Sequence, residues 1–119
     1  MTAAVALKPV SEPARPDFEP RHLAWLQQSV LANRFLPEPT ADSIFVGDGD
    51  YRAIGTEFLG HLVQLGGILP NDRVLDIGSG IGRIAVPLTQ YLSPGAAYWG
   101  VDPVAEGVAW CREHISPVY

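Results

Sequence analysis

The chain predicts an α/β fold built on one strand–helix–strand unit, and three observations carry that prediction. The first is Arg73-Val-Leu-Asp-Ile-Gly-Ser-Gly-Ile-Gly-Arg83, an apolar run that ends in an acid and opens into a loop with glycine at every second position. The second is another apolar run, Ala97-Tyr98-Trp99-Gly100-Val101, which ends in Asp102, about twenty residues past the last glycine. The third is the helix-like segment between them, so that Arg73 to Asp102 spans the roughly thirty residues a βαβ unit needs. An α/β fold makes a nucleoside-binding crevice from such a unit.

Composition bounds what surrounds this unit. A chain of 119 residues allows one domain at most, with a modest core. The 47% apolar and 18% charged shares are those of a folded chain rather than a disordered one. A net charge of −5, with the eight Lys and Arg residues scattered, repels phosphate backbones, so no nucleic-acid partner is expected. The single Cys111 forms no internal disulfide, and no Cys/His spacing suggests a metal site. Neither a signal peptide nor a run of membrane-spanning length is apparent, so no membrane partner is expected and the reducing cytoplasm is the expected compartment.

Taken in order, residues 1–20 carry Pro9, Pro13, Pro16 and Pro20 and predict a mobile, proline-rich leader. Residues 21–69 predict a helical lead-in. Its first helix runs from Arg21 to Phe35, with Leu23, Leu26 and Val30 on one face, Leu31 beside it, and Pro37 and Pro39 ending it. A second helix, Tyr51–Leu65, has Ile54, Phe58, Leu62 and Leu65 as its expected buried stripe and Gly66-Gly67 as its stop.

Residues 70–119 predict the βαβα part. Pro70-Asn71-Asp72 turns into a strand at 73–77, followed by the glycine loop 78–82 and a helix to about Leu92. Pro87 inside that helix removes a donor and should kink or shorten it. Ser93-Pro94-Gly95 turns into the strand 97–101, and a last helix runs from about Val104 to Ile115. Val74-Leu75-Asp76-Ile77 lacks polar alternation, which predicts a strand covered on both faces. Asp102-Pro103 also reads as a helix start, with aspartate as N-cap and proline first in the helix.

Gly78, Gly80 and Gly82 permit backbone angles closed to other residues and let the main chain approach a ligand without an intervening side chain. One glycine suffices for a turn; three in alternation between two strand-end acids exceed that need. A dinucleotide fingerprint, G-x-G-x-x-G/A, fits poorly. Read from Gly78 its third small position falls on Arg83, and read from Gly80 it falls on Ala85 but pushes the loop into the helix. Asp76 before the loop also sets negative charge near a bound diphosphate.

A cationic, phosphate-free nucleoside fits better. Asp76-Ile-Gly78-Ser-Gly80-Ile-Gly82 resembles the first motif of the class I, Rossmann-like S-adenosylmethionine-dependent methyltransferases, an acid followed by G-x-G-x-G at the end of the first strand. The resemblance covers about residues 73–115, and Phe45–Gly67 is more weakly similar to the lead-in helix of small bacterial members. It implies S-adenosylmethionine as cofactor, with Gly78, Ser79, Gly80 and Gly82 lying against its methionyl and ribose part. Asp76 would then orient the loop and the cofactor's amino group, and Asp102 would accept from the ribose hydroxyls. It says almost nothing about the acceptor, which the acidic charge tilts towards a small molecule.

Two rivals stand beside this reading: a nicotinamide-dependent oxidoreductase, and a non-catalytic interaction module that keeps the fold. The resembled fold continues with further strands. Stopping at Tyr119, the sequence is therefore expected to be the incomplete N-terminal portion of a longer enzyme, inactive alone and able to self-associate through an unpaired strand edge.

The remaining residues carry less. Asp48-Gly-Asp50 is not a calcium loop, because Arg52 takes the fifth position and Leu59 the twelfth. Asp50 and Tyr51 are weaker cofactor-neighbour candidates. His22, His61 and His114 have no catalytic spacing, Tyr98, Trp99 and Trp110 read as packing, and Cys111 as an inert thiol. Arg83 reads equally as a carboxylate partner or as part of a solvated helix face. No catalytic base can be named.

Overall fold

The computed structural model describes residues 20–119; apart from Pro20, the expected leader lies outside the described residues. Helix α1 covers Pro20–Ala32, and proline suits its first position because that N–H has no helical partner anyway. Leu23, Leu26 and Val30 are buried as expected. The helix ends three residues before Phe35. Asn33 Oδ1 accepts from Phe35 N at 3.0 Å, a local turn that competes with the helix before either proline is reached.

Helix α2, Tyr51–Gln64, starts on Asp50, whose Oδ1 accepts from Ala53 N at 2.7 Å. It ends where Gly67 takes φ +65° and Ile68 N returns to Leu62 O at 3.2 Å. Its buried stripe is not the expected one. Phe58 is 46% and Leu65 82% exposed, whereas Tyr51, Gly55, Thr56, Leu59, Gly60 and Val63 are buried. Periodicity picked one stripe of large side chains, but close packing buried a neighbouring stripe that includes the small Gly55 and Gly60. A Cβ on Gly60 would sit 2.5 Å from Gln27 Nε2 of α1, and one on Gly55 would collide with the Arg83 carbonyl oxygen.

That carbonyl has a reason to be approachable. Helix α3 is only Ala85–Leu88, because Pro87 has no N–H to return to Arg83, and the chain continues as turns to Ser93. Gly55 of α2 packs where that helical bond is missing. The core lies between α1, α2 and α3, centred on the fully buried Val30, Leu59 and Leu88.

Strands β1, Arg73–Ile77, and β2, Ala97–Val101, pair in parallel, with Val74 opposite Tyr98 and Asp76 opposite Gly100. Among the described residues this is the whole sheet, so each strand has one edge without a partner. Among the described residues, coverage of both sheet faces is not found. Leu75 is 62% and Ile77 79% exposed, and they share their face with Trp99 and Val101, which are half exposed. The opposite face, with Val74, Asp76, Tyr98 and Gly100, turns inward. Among the described residues no helix is long and apolar enough to cross a membrane.

Helix α4 covers Ala105–His114, starting one residue later than expected. Its N-cap is Val104, not Asp102, and Pro103 lies outside the helix. Asp102 Oδ1 instead accepts from Val104 N at 2.8 Å, bending the chain ahead of the helix.

Candidate functional site

The site is built where β1 and β2 end side by side. After Ile77 the chain must turn at once to stay near β2, and Gly78 does so at φ +86°. Gly78 N and Ser79 N both donate to Val101 O, at 2.8 and 3.1 Å, pinning the loop on the end of the second strand. Gly80, at φ +57°, turns its N–H onto Asp102 Oδ2 at 2.8 Å. Asp102 thus accepts two backbone bonds, one per oxygen, from the loop and from the start of the α4 segment. A carboxylate oxygen has two lone pairs, so each keeps one for a further donor.

The three glycines do different work. A Cβ on Gly78 or Gly80 would meet nothing within 4 Å, so their bare backbone faces open space. One on Gly82, at φ +81°, would lie 2.8 Å from Ile115 Cδ1 and 2.9 Å from Cys111 Sγ. Gly82 is therefore a packing glycine that lets α4 close on the loop. Gly107 answers it from the helix, since a Cβ there would sit 2.5 Å from Gly80 O. Ser79 turns its side chain to β2, where a Cβ on Gly100 would lie 2.9 Å from its hydroxyl oxygen.

Asp76 lies half-buried beneath the loop, where Tyr98 donates its hydroxyl to Oδ2 at 2.7 Å. Burial, and then the bond to Asp76, hold the Tyr98 phenol well above the usual tyrosine range, so it stays a donor. Burial also raises the Cys111 thiol, with Asp102 and Asp76 adding to the effect, which keeps it in its less reactive protonated form. Tyr51 is buried under the loop and donates to Ile81 O at 2.8 Å; burial is the main cause of its raised pKa. It is a brace for the loop, and Asp50 is a helix cap.

Gly78, Ser79, Gly80, Asp76 and Asp102 are thus brought to one end of the sheet. Sequence reading missed Tyr98 as a polar partner, although a signal existed. In a parallel register the inward residues of β2 alternate from Tyr98 to Gly100, on the face that carries Asp76. His114 stacks on Trp110 with ring centroids 4.8 Å apart, and His61 lies 3.6 Å from Glu57 on the α2 surface. Among the described residues no group of three or more His, Cys, Asp or Glu could hold a metal ion.

A cavity of about 530 Å³ opens elsewhere, between Leu88, Leu92, Ala97, Ile115 and Tyr119. Its lining is mainly apolar and includes no residue from 76 to 82. The loop is the better candidate, because directed polar groups and bare backbone converge there. No protein-family model matches the chain, and no solved structure matches it.

Proposed function

We propose that the chain is the cofactor-binding part of an S-adenosylmethionine-dependent methyltransferase of the Rossmann-like class, acting on a small-molecule acceptor. The observation that carries the reading is the junction of Gly80 with Asp102. Bare backbone and a carboxylate with spare lone pairs stand together at the ends of two parallel strands. Gly78 and Gly80 leave room for a ligand to lie against the main chain. Asp102 can accept from a ribose diol without releasing Gly80 or Val104. Asp76, braced by Tyr98, sets negative charge beneath the loop, which suits a cationic ligand.

These residues fit that cofactor better than a dinucleotide. A diphosphate draws on a helix N-terminus, and the helix after the loop is four residues long with proline third. When bound, the cofactor supplies an already activated sulfonium methyl. The chain's part is to bind it, fix its direction and exclude water. No general base is assigned. The net charge of −5 supports a small acceptor over nucleic acid.

Titration calorimetry tests the reading. S-adenosylhomocysteine should bind, and a nicotinamide dinucleotide should not; the reverse order would replace the proposal with the oxidoreductase.

A further inference from the structure

Arg83 follows the glycine loop directly and is half-buried. It is not part of a solvated helix face, because α3 begins only at Ala85. Its Nη2 donates to the Val46 carbonyl oxygen at 3.0 Å, and its guanidinium carbon lies 5.4 Å from the centre of the Tyr51 ring. Gly47, at φ +81°, admits this approach, since a Cβ there would sit 3.2 Å from the same nitrogen. Tyr51 is in turn tied to the loop through Ile81 O. The guanidinium is therefore held between two supports, and one of them is anchored to the glycine loop itself.

Among the described residues Arg83 has no carboxylate partner. Arg52 shows the contrast: it lies 3.5 Å from Glu38 and donates to the carbonyls of Asn33 and Leu36. In a chain with thirteen acids and eight basic residues, an oriented arginine without an acid beside it is an open oxyanion receptor. Guanidinium carries five N–H donors in one plane, and here one is engaged with protein.

We propose that Arg83 binds the carboxylate of the ligand seated on the glycine loop, the amino-acid end of the methyl donor, with Val46 and Tyr51 setting its orientation. The inference rests on the methyl-donor reading of the loop. A diphosphate is the other oxyanion this fork could receive, and the four-residue α3 offers it no helix end to share the charge.

A two-by-two titration of the full chain decides the matter. S-adenosylmethionine and its decarboxylated analogue, which keeps the ammonium and loses only the carboxylate, are titrated into wild type and Arg83→Gln. The substitution should weaken S-adenosylmethionine by about tenfold to a hundredfold and leave the analogue within about twofold. Equal losses for both ligands, or none for either, overturn the assignment of Arg83 and leave the methyl-donor reading standing. Wild type that binds neither ligand but takes up a nicotinamide dinucleotide overturns both. If Arg83→Gln does not fold, Arg83→Lys keeps the charge and stem without the planar fork. It should then show a smaller loss confined to S-adenosylmethionine, and a loss shared by the analogue counts against the proposal.

Discussion

Adding one methyl group at Gly80 and at Gly82 should do opposite things to stability and binding, although the two glycines sit two residues apart in the same loop. Both have positive φ, +57° and +81°, so alanine at either is strained by about 1–2 kcal/mol. At Gly80 nothing else opposes the methyl, which points into open space. At Gly82 it meets Ile115 Cδ1 at 2.8 Å, Cys111 Sγ at 2.9 Å and Trp110 at 3.5 Å, so α4 must move off the loop. Overpacking of this kind adds about 1–3 kcal/mol, giving Gly82→Ala a total of about 2–5 kcal/mol. Urea unfolding followed by tryptophan fluorescence measures both losses, and calorimetry with S-adenosylhomocysteine measures affinity. Gly80→Ala should lose only the strain of about 1–2 kcal/mol but much affinity, because its methyl occupies the side of the loop where the ligand is proposed to lie. Equal destabilisation by the two substitutions would refute the division of the loop into an open face and a packed face. So would Gly80→Ala binding as tightly as wild type.

Other expectations follow from the same geometry. Asp102→Ala removes the acceptor for Gly80 N and Val104 N, so unfolding free energy should fall by about 1–3 kcal/mol and S-adenosylhomocysteine affinity with it. Unchanged affinity in a folded Asp102→Ala protein would reduce Asp102 to a structural role. Tyr51, Tyr91, Tyr98 and Cys111 all have pKa values raised by folding, so the native state holds these protons more tightly than the unfolded chain. Their stabilisation is complete below the unfolded values, 9.0 for the thiol and 10.0 for the phenols, and is lost as pH rises beyond them. Urea midpoints should therefore fall from pH 8 to pH 10.5, less steeply in Tyr98→Phe, and a midpoint that rises would contradict the assignment. Self-association through the unpaired strands should appear as concentration-dependent mass in light scattering. Ile77→Lys, on the exposed sheet face, should reduce it, and a mass independent of both concentration and this substitution would exclude that route.

How much of this was legible in the sequence depends on the range of the physics involved. Strand ends and the glycine loop are local, so their residues announce them, and β1 and β2 have the expected bounds. The shortening of α3 was also local, since Pro87 removes a donor whatever surrounds it. The buried face of α2 was not. Gly55 and Gly60 are buried because Arg83 and Gln27 come close to them, and no periodicity of large apolar residues encodes that approach. Asp102 illustrates a different limit: Asp-Pro is a good helix start, but the helix begins only at Ala105, and the second carboxylate oxygen holds Gly80 N, far away in sequence. The exposed face of Leu75 and Ile77 has the same origin, because an apolar run says what a strand can bury, not what is present to cover it.

The seat proposed for a phosphate-free adenosyl ligand is formed by the Gly78–Gly80 backbone and Asp102. Its most direct test is calorimetric titration of the full chain with S-adenosylhomocysteine and, separately, with a nicotinamide dinucleotide, repeated on Gly80→Ala. Saturable binding of S-adenosylhomocysteine that Gly80→Ala weakens, with no uptake of the dinucleotide, is the predicted result. Binding of the dinucleotide alone, or S-adenosylhomocysteine binding indifferent to Gly80→Ala, would contradict it.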